Sequence, residues 1–289
     1  MLSAVQSSPE ETLATSSQYA NEPPSYALGE SSSEAERLRL LDMVYGNTSR
    51  ALLRRTGLRE GWRCADLGCG PGHIALWLAE QVGPAGYVAG LDRAALFVKL
   101  ARTAATRHRF HHTHFVEADI SASPLLAPSF NLVYSRCLLS HLPHPLSALR
   151  QMARLAKPGG WLVVEDIDCG TNCSHPESSA RRRHLALYQA IVQHHGGDPL
   201  LGRKLPRLFR AAGLTDIHVE IVAPTEPLAA VNRLYPLTLA VLKPALVEAG
   251  LAMTSEVDAL IADLHALAEA PAKAISSCPL VQVWARKAV

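Results

Sequence analysis

The segment Cys64-Ala65-Asp66-Leu67-Gly68-Cys69-Gly70-Pro71-Gly72 constrains the fold more than any other stretch of the chain. An apolar run enters a turn with glycine at every second position, and Ile74 to Val82 then carries helical apolar spacing. Glycine at 68, 70 and 72 lets backbone approach a ligand where a Cβ would collide. Strand, glycine-rich turn and helix in that order point to an α/β protein whose ligand lies at the carboxyl edge of a sheet. A dinucleotide fingerprint would place its third glycine at position 73, where this chain has His73. Pyrophosphate needs free helix-terminal N–H groups, whereas a ligand without phosphate tolerates Pro71. Asp66, just before the loop, suits a cationic amino group, and Cys69 lies within the turn.

The rest of the chain repeats the same rhythm. Trp62 to Leu67, Tyr87 to Leu91, His114 to Val116, Phe130 to Tyr134 and Trp161 to Val164 read as strands. Ile74 to Val82, Ala94 to Thr106 and Leu146 to Ala156 read as the helices between them, the alternation of a doubly wound parallel sheet. Further on, helices near 177–194 and 203–212 precede an Ile217 to Val222 strand, helices follow at about 228–248 and 255–269, and Leu280 to Trp284 makes a final strand. Residues 1–32, rich in Ser, Glu and Pro with no sustained apolar period, are expected to form a mobile arm or lid. A capping box at Ser33 and Glu36 should open a helix of about 20 residues, and residues 33–289 read as a single domain with a helical cap inserted at about 224–272.

Composition narrows the class. With 28 basic and 26 acidic residues the net charge is +2, which provides no broad footprint for nucleic acid or an anionic membrane. No stretch reaches the length of a membrane span and the N-terminus lacks a signal-peptide pattern, so a cytoplasmic protein is expected. The six cysteines show no repeating framework and are expected as free thiols; Cys169 and Cys173 lack CxxC spacing. The His108, His111, His112 and His114 run reads as a solvated strand approach, and no metal is expected.

Two further strand ends carry acids. Asp92 closes Gly90-Leu91-Asp92, with Arg93 next, and a carboxylate there can accept both hydroxyls of a ribose. Asp119, in Glu117-Ala118-Asp119-Ile120, can accept from an adenine amino group while Ile120 packs on the ring. Each of these acids alone would equally serve as a helix N-cap. Together with Asp66 they outline a nucleoside carrying an amino-acid tail. These motifs, with FNLVYSRCLLSHLPHP and LAKPGGWLVVEDID, resemble class I S-adenosylmethionine (SAM)-dependent methyltransferases, most of all the ubiquinone and menaquinone biosynthesis-like group that acts on small molecules. The resemblance covers about residues 60–168. It implies a Rossmann-like seven-stranded sheet with the last strand antiparallel and SAM at the strand C-terminal edge. It also implies that Tyr26-Ala27-Leu28-Gly29 folds over SAM, and it assigns Ser135 and Arg136, after the fourth strand, to the cofactor site.

Methyl transfer from a sulfonium is an in-line displacement that alignment and desolvation accelerate, and a base is needed only where the acceptor must lose a proton. His141, with His144 close by, is the candidate base; it would otherwise pack the turn after the fourth strand. Glu165 and Asp166 end the fifth strand, where the acceptor should lie, or else serve as salt-bridge or capping groups. The apolar residues of 223–250 suit a small hydrophobic acceptor or a homodimer interface. Three competing readings stay open: a methyltransferase acting on nucleic acid or protein, a SAM-fold protein that binds without methylating, and an NAD(P) oxidoreductase. The Tyr134-Ser135-Arg136-Cys137 sequence lacks the Asn/Asp-Pro-Pro-aromatic run that holds a flipped base.

Overall fold

The computed structural model describes residues 28–122, 129–170, 174–175, 177–269, 274–275 and 277–288. Helix α1 (Ser32–Arg55) is capped by Ser31, whose hydroxyl accepts from the Glu34 amide at 3.1 Å. The cap falls two residues earlier than the Ser33–Glu36 expectation. Glu34 is already engaged elsewhere, in a bidentate pair with Arg37 at 2.6 and 2.7 Å.

Five parallel strands follow: β1 (Arg63–Leu67), β2 (Tyr87–Asp92), β3 (Thr113–Glu117), β4 (Phe130–Arg136) and β5 (Ala156–Ile167). Helices α2 (His73–Val82), α3 (Ala95–Arg107) and α4 (Pro145–Leu155) make the crossovers. Pro145 at the start of α4 fits a position whose N–H has no helical partner. The short strand β6 (Ser174–His175) leads to α5 (Ser179–His194), α6 (Leu205–Ala211) and β7 (His218–Val222). The cap helices α7 (Leu228–Glu248) and α8 (Thr254–Glu269) come next, then β8 (Ala274–Ile275), which pairs with β6, and β9 (Leu280–Arg286).

The main sheet has seven strands in the order β3-β2-β1-β4-β5-β9-β7, and β9 runs antiparallel to both of its neighbours. This is the Rossmann-like doubly wound sheet with a reversed last strand. Strand order reverses between β1 and β4, which opens a crevice at their carboxyl ends. Strand β5 is longer than the Trp161–Val164 expectation. A register shift opposite Phe130 and Leu132 admits Lys157 to Gly160, residues that by themselves read as a turn.

Burial follows the layers. On one face, α2, α3 and the end of α1 bring Leu52, Leu53, Leu78, Val82 and Phe115 together. On the other, α4 and α6 bury Leu149, Met152 and Phe209. A third cluster joins α1, α5, α7 and α8 through Val44, Tyr188, Leu239 and Val257, so the cap shares its core with the helix that precedes β1. Phe209 has no exposed surface. Phe209→Ala is expected to lower stability by about 3 to 5 kcal/mol, read as a shifted urea midpoint at unchanged slope.

Candidate functional site

The crevice at the switch point is a cavity walled by the β1–α2 loop, the ends of β2, β3 and β4, and helices α1 and α5. Asp66, Gly68, Cys69, Gly70, Asp92, Arg93, Asp119, Ile120 and Arg136 all line it, as does His141. The strand ends therefore converge because the three crossovers return to one edge of the sheet.

The glycine loop shows why its residue types matter. Gly68 and Gly70 lie at φ +72 and +52, left-handed backbone that L side chains rarely adopt, and a Cβ on Gly68 would stand 3.1 Å from Leu138. Gly72, at φ +88, serves a different purpose from the ligand approach expected of it. It lies off the cavity lining, and a Cβ there would meet Ala101 at 3.0 Å, so it permits α2 to pack on α3. Asp92 anchors the loop: one carboxylate oxygen accepts from Gly70 N–H at 2.8 Å and the other from Ala94 N–H at 2.9 Å.

Charge in the cavity is tuned by desolvation. Burial pushes the Asp66 carboxyl up to about 7, with the Arg136 guanidinium opposing and the Asp92 carboxylate adding to the rise. Burial also raises Asp92, against the backbone N–H groups it accepts from. His141 is pushed down to about 3, first by burial and then by the charges of Arg37 and Arg93. Its imidazole is neutral at physiological pH. His73 also faces the cavity, held below its ordinary value by burial, and its buried Nε2 has no hydrogen-bond partner among the described residues. Glycine backbone at van der Waals range, acids at three strand ends and an unsatisfied ring nitrogen together suit a polar ligand with cationic and hydroxyl groups.

Three expected side chains stand behind the wall rather than on it. Ser135 points away from the cavity and is fully buried, because it alternates with the cavity-facing Tyr134 and Arg136. Glu165 accepts from Ser49 Oγ at 2.6 Å, Tyr134 Oη at 3.0 Å and Gln282 Nε2 at 2.9 Å, and no part of it borders the cavity. Asp166 accepts from Ser140 N–H and Ile167 N–H, both at 3.0 Å, and burial pushes it up to about 6. Asp166 thereby fastens the turn Leu139–His141 without facing the cavity itself. Tyr26 lies outside the described residues.

Sequence reasoning passed over two walls. Arg37, Leu38 and Leu41 come from α1, Tyr188 and Val192 from α5, and His195 from the residue that caps it. The last three recur at helical spacing on one face, a signal legible in the sequence that carries no chemistry of its own. Cys137, also on the wall, adopts φ +53, and its N–H donates to the Glu165 carbonyl at 2.8 Å. Among the described residues no group of His, Cys, Asp and Glu is placed to hold a metal ion, and no helix is long and apolar enough to cross a membrane.

Comparison with known proteins assigns the class. The sequence pattern of a methyltransferase domain family matches residues 58–213, more than half of the chain, and the chain belongs to that family. Its seven-stranded sheet with the reversed β9 is the fold it shares with solved methyltransferases. It is 29% identical over 149 residues to an uncharacterised methyltransferase of Schizosaccharomyces pombe, covering 50% of this chain and 53% of that protein. A demethylmenaquinone methyltransferase of Halalkalibacterium halodurans is 30% identical over 191 residues, 58% of this chain and 74% of that one. The chain spans about half the length of the first curated relatives it matches. Phosphoethanolamine N-methyltransferase 2 of Haemonchus contortus, solved with SAM, superposes with a TM-score of 0.57 at 16% identity over 88% of this chain and 57% of that one. The [4+2]-cyclase SpnF gives 0.55 at 21% identity over 87% and 80%.

The raised Asp66 has a consequence for stability. Its folded value near 7 lies above the ordinary 3.8, so folding favours the protonated form and stability falls as pH rises from about 4 to 7. Asp66→Asn removes this dependence. The variant is expected to match the parent in urea unfolding near pH 4 and to exceed it by about 2 kcal/mol or more at pH 7.5 without ligand.

Proposed function

We propose that the protein is a SAM-dependent methyltransferase that transfers a methyl group to a small, apolar metabolite. The observation that carries the reading is the gathering of Asp66, Gly68, Gly70, Asp92 and Asp119 around one cavity at the switch point. Asp66 would take the cofactor's amino group, Asp92 the ribose hydroxyls, and Asp119 with Ile120 the adenine. A cation beside Asp66 favours its carboxylate, so binding below about pH 7 should release a proton. SAM, when bound, supplies an electrophilic methyl group on a sulfonium.

The remaining walls are proposed to hold the acceptor. Leu38, Leu41, Leu142, Ile167 and Val192 exclude water from it, which favours an apolar molecule over a nucleic acid or an extended peptide. The relatives named as demethylmenaquinone methyltransferases support a small-molecule acceptor. His141 is the proposed proton acceptor where a hydroxyl or carbon acid is methylated, and Asp166 is its positioning residue through the Ser140 N–H. Because burial keeps the imidazole a weak base, the acceptor proton is proposed to move as the methyl group is transferred rather than before it.

Two measurements test these assignments. Calorimetry should show that Asp92→Ala weakens SAM binding by about 2 to 4 kcal/mol; unchanged affinity in a folded variant removes Asp92 from the site. With a hydroxyl acceptor, His141→Asn should slow turnover of SAM to S-adenosylhomocysteine by about 10²-fold while SAM affinity stays within a few-fold. Parent-like turnover of that variant would leave the histidine with a packing role only. Binding of SAM with no turnover on any acceptor would favour the non-methylating reading.

A further inference from the structure

We propose that Cys169 and Cys278 form a reversible disulfide that ties the chain returning from the helical cap to the end of β5. Their sulfurs stand 3.8 Å apart, and no part of the cofactor or acceptor reading uses them. Cys169 follows β5 by two residues, and Cys278 lies between α8 and β9.

The geometry is that of a cross-strand pair. The β5–β9 ladder ends at Ile167 opposite Leu280, and the Asp168 N–H continues it by donating to the Pro279 carbonyl at 2.8 Å. Position 169 then faces 278 at the next, non-hydrogen-bonded step, where Cα atoms of antiparallel strands stand about 4.5 Å apart. That separation lies inside the range a disulfide spans. Both backbones are pinned. Cys169 N–H donates to the Pro199 carbonyl at 2.9 Å and its carbonyl accepts from Gln189, while the Cys278 carbonyl accepts from Tyr45 Oη at 2.7 Å.

The two thiols are unequal in a way that orders the chemistry. Cys278 is partly exposed and Cys169 is 1% exposed, so Cys278 is the residue of the pair nearer solvent. The Cys169 S–H donates to the Cys278 sulfur, which holds the Cys278 thiol below its ordinary value although burial opposes it. With glutathione disulfide as oxidant, the Cys278 thiolate attacks one sulfur and displaces the first glutathione thiolate. Cys169 then loses its proton and attacks the Cys278 sulfur of the mixed disulfide, and the second glutathione leaves. Two protein thiols become one disulfide, and glutathione disulfide becomes two glutathione thiols. Because α7 and α8 share a core with α1, a covalent tie at Cys278 should restrain opening of the cap.

The test uses the full chain in graded glutathione disulfide buffers. Intact mass under non-reducing conditions should fall by two hydrogens, peptide mapping should join the segment holding Cys169 to that holding Cys278, and a thiol reductant should reverse both. Cys169→Ser should stop at a single glutathione adduct on Cys278, and Cys278→Ser should form no cross-link between these segments. Hydrogen exchange in α7 and α8 should slow on oxidation of the parent chain and stay unchanged in Cys278→Ser. A cross-link from Cys169 to Cys173, or no cross-link in folded parent protein, overturns the pairing. A 169–278 cross-link that leaves exchange in both helices unaltered overturns the restraint on the cap.

Discussion

The carboxylate of Glu165 is the interaction on which the rest of the architecture turns. It has no exposed surface, and it accepts hydrogen bonds from three elements: Ser49 of α1, Tyr134 of β4 and Gln282 of β9. Burial alone would raise its proton affinity, and the Arg136 guanidinium together with these donors opposes the rise. A buried acid with partners on separate elements is satisfied only in one relative arrangement of them, and leaving any donor unmade is costly. The helix that precedes β1 is thereby held over the sheet, with Arg37, Leu38 and Leu41 against the cavity. Arg136 reinforces the same seam, donating to Ser49 Oγ at 3.1 Å and to Asp42 at 3.0 Å.

The same device recurs at smaller scale around the cavity. Asp92 holds the glycine loop through Gly70 N–H, and Asp166 holds the Leu139–His141 turn through Ser140 N–H. In both cases a strand-end acid fixes a neighbouring loop by accepting from its backbone N–H. Carboxylates accept from several donors at once, so Asp92 keeps lone pairs for a ligand after binding two amides. Asp166 faces inward and spends its capacity on backbone, which suits a positioning residue and not a ligand.

Much of this was legible in the sequence because it rests on local rules. Apolar runs ending in glycine or aspartate mark β1, β2 and β3, and the switch point follows from α/β connectivity, so Asp66, Gly68, Gly70, Asp92, Asp119 and Ile120 come to one sheet edge, where they line the cavity. The expectations that shifted depend on facing direction or on long-range partners. Ser135 and Arg136 are adjacent in sequence, yet alternation along β4 sends one into the core and the other to the cavity. Glu165 looks like an acceptor-side acid until Ser49 and Gln282, 116 and 117 residues away, take its lone pairs. Ser33 and Glu36 match a capping box by spacing, but Ser31 and Glu34 have the same spacing, and the cap falls there, two residues earlier.

The division of the cavity wall bears on how an acceptor would be chosen. Strands β1 to β5 and helices α5 and α6 lie within the family match at 58–213, whereas α1, α7, α8 and β9 lie outside it. The residues proposed to face the cofactor come from the matched span. Arg37, Leu38 and Leu41 come from α1, which packs on α7 in a core cluster that holds Leu41 itself with Val44 and Leu239. On the proposed reading, the shape presented to an acceptor is then set jointly by the α1–α7 contact and by α5 beneath it. A volume change at that contact propagates to the wall, because a close-packed interior transmits displacement instead of absorbing it. Acceptor discrimination would consequently depend on cap residues that never touch the acceptor, while Asp66 and Asp92, seated on the sheet, stay in register with the glycine loop.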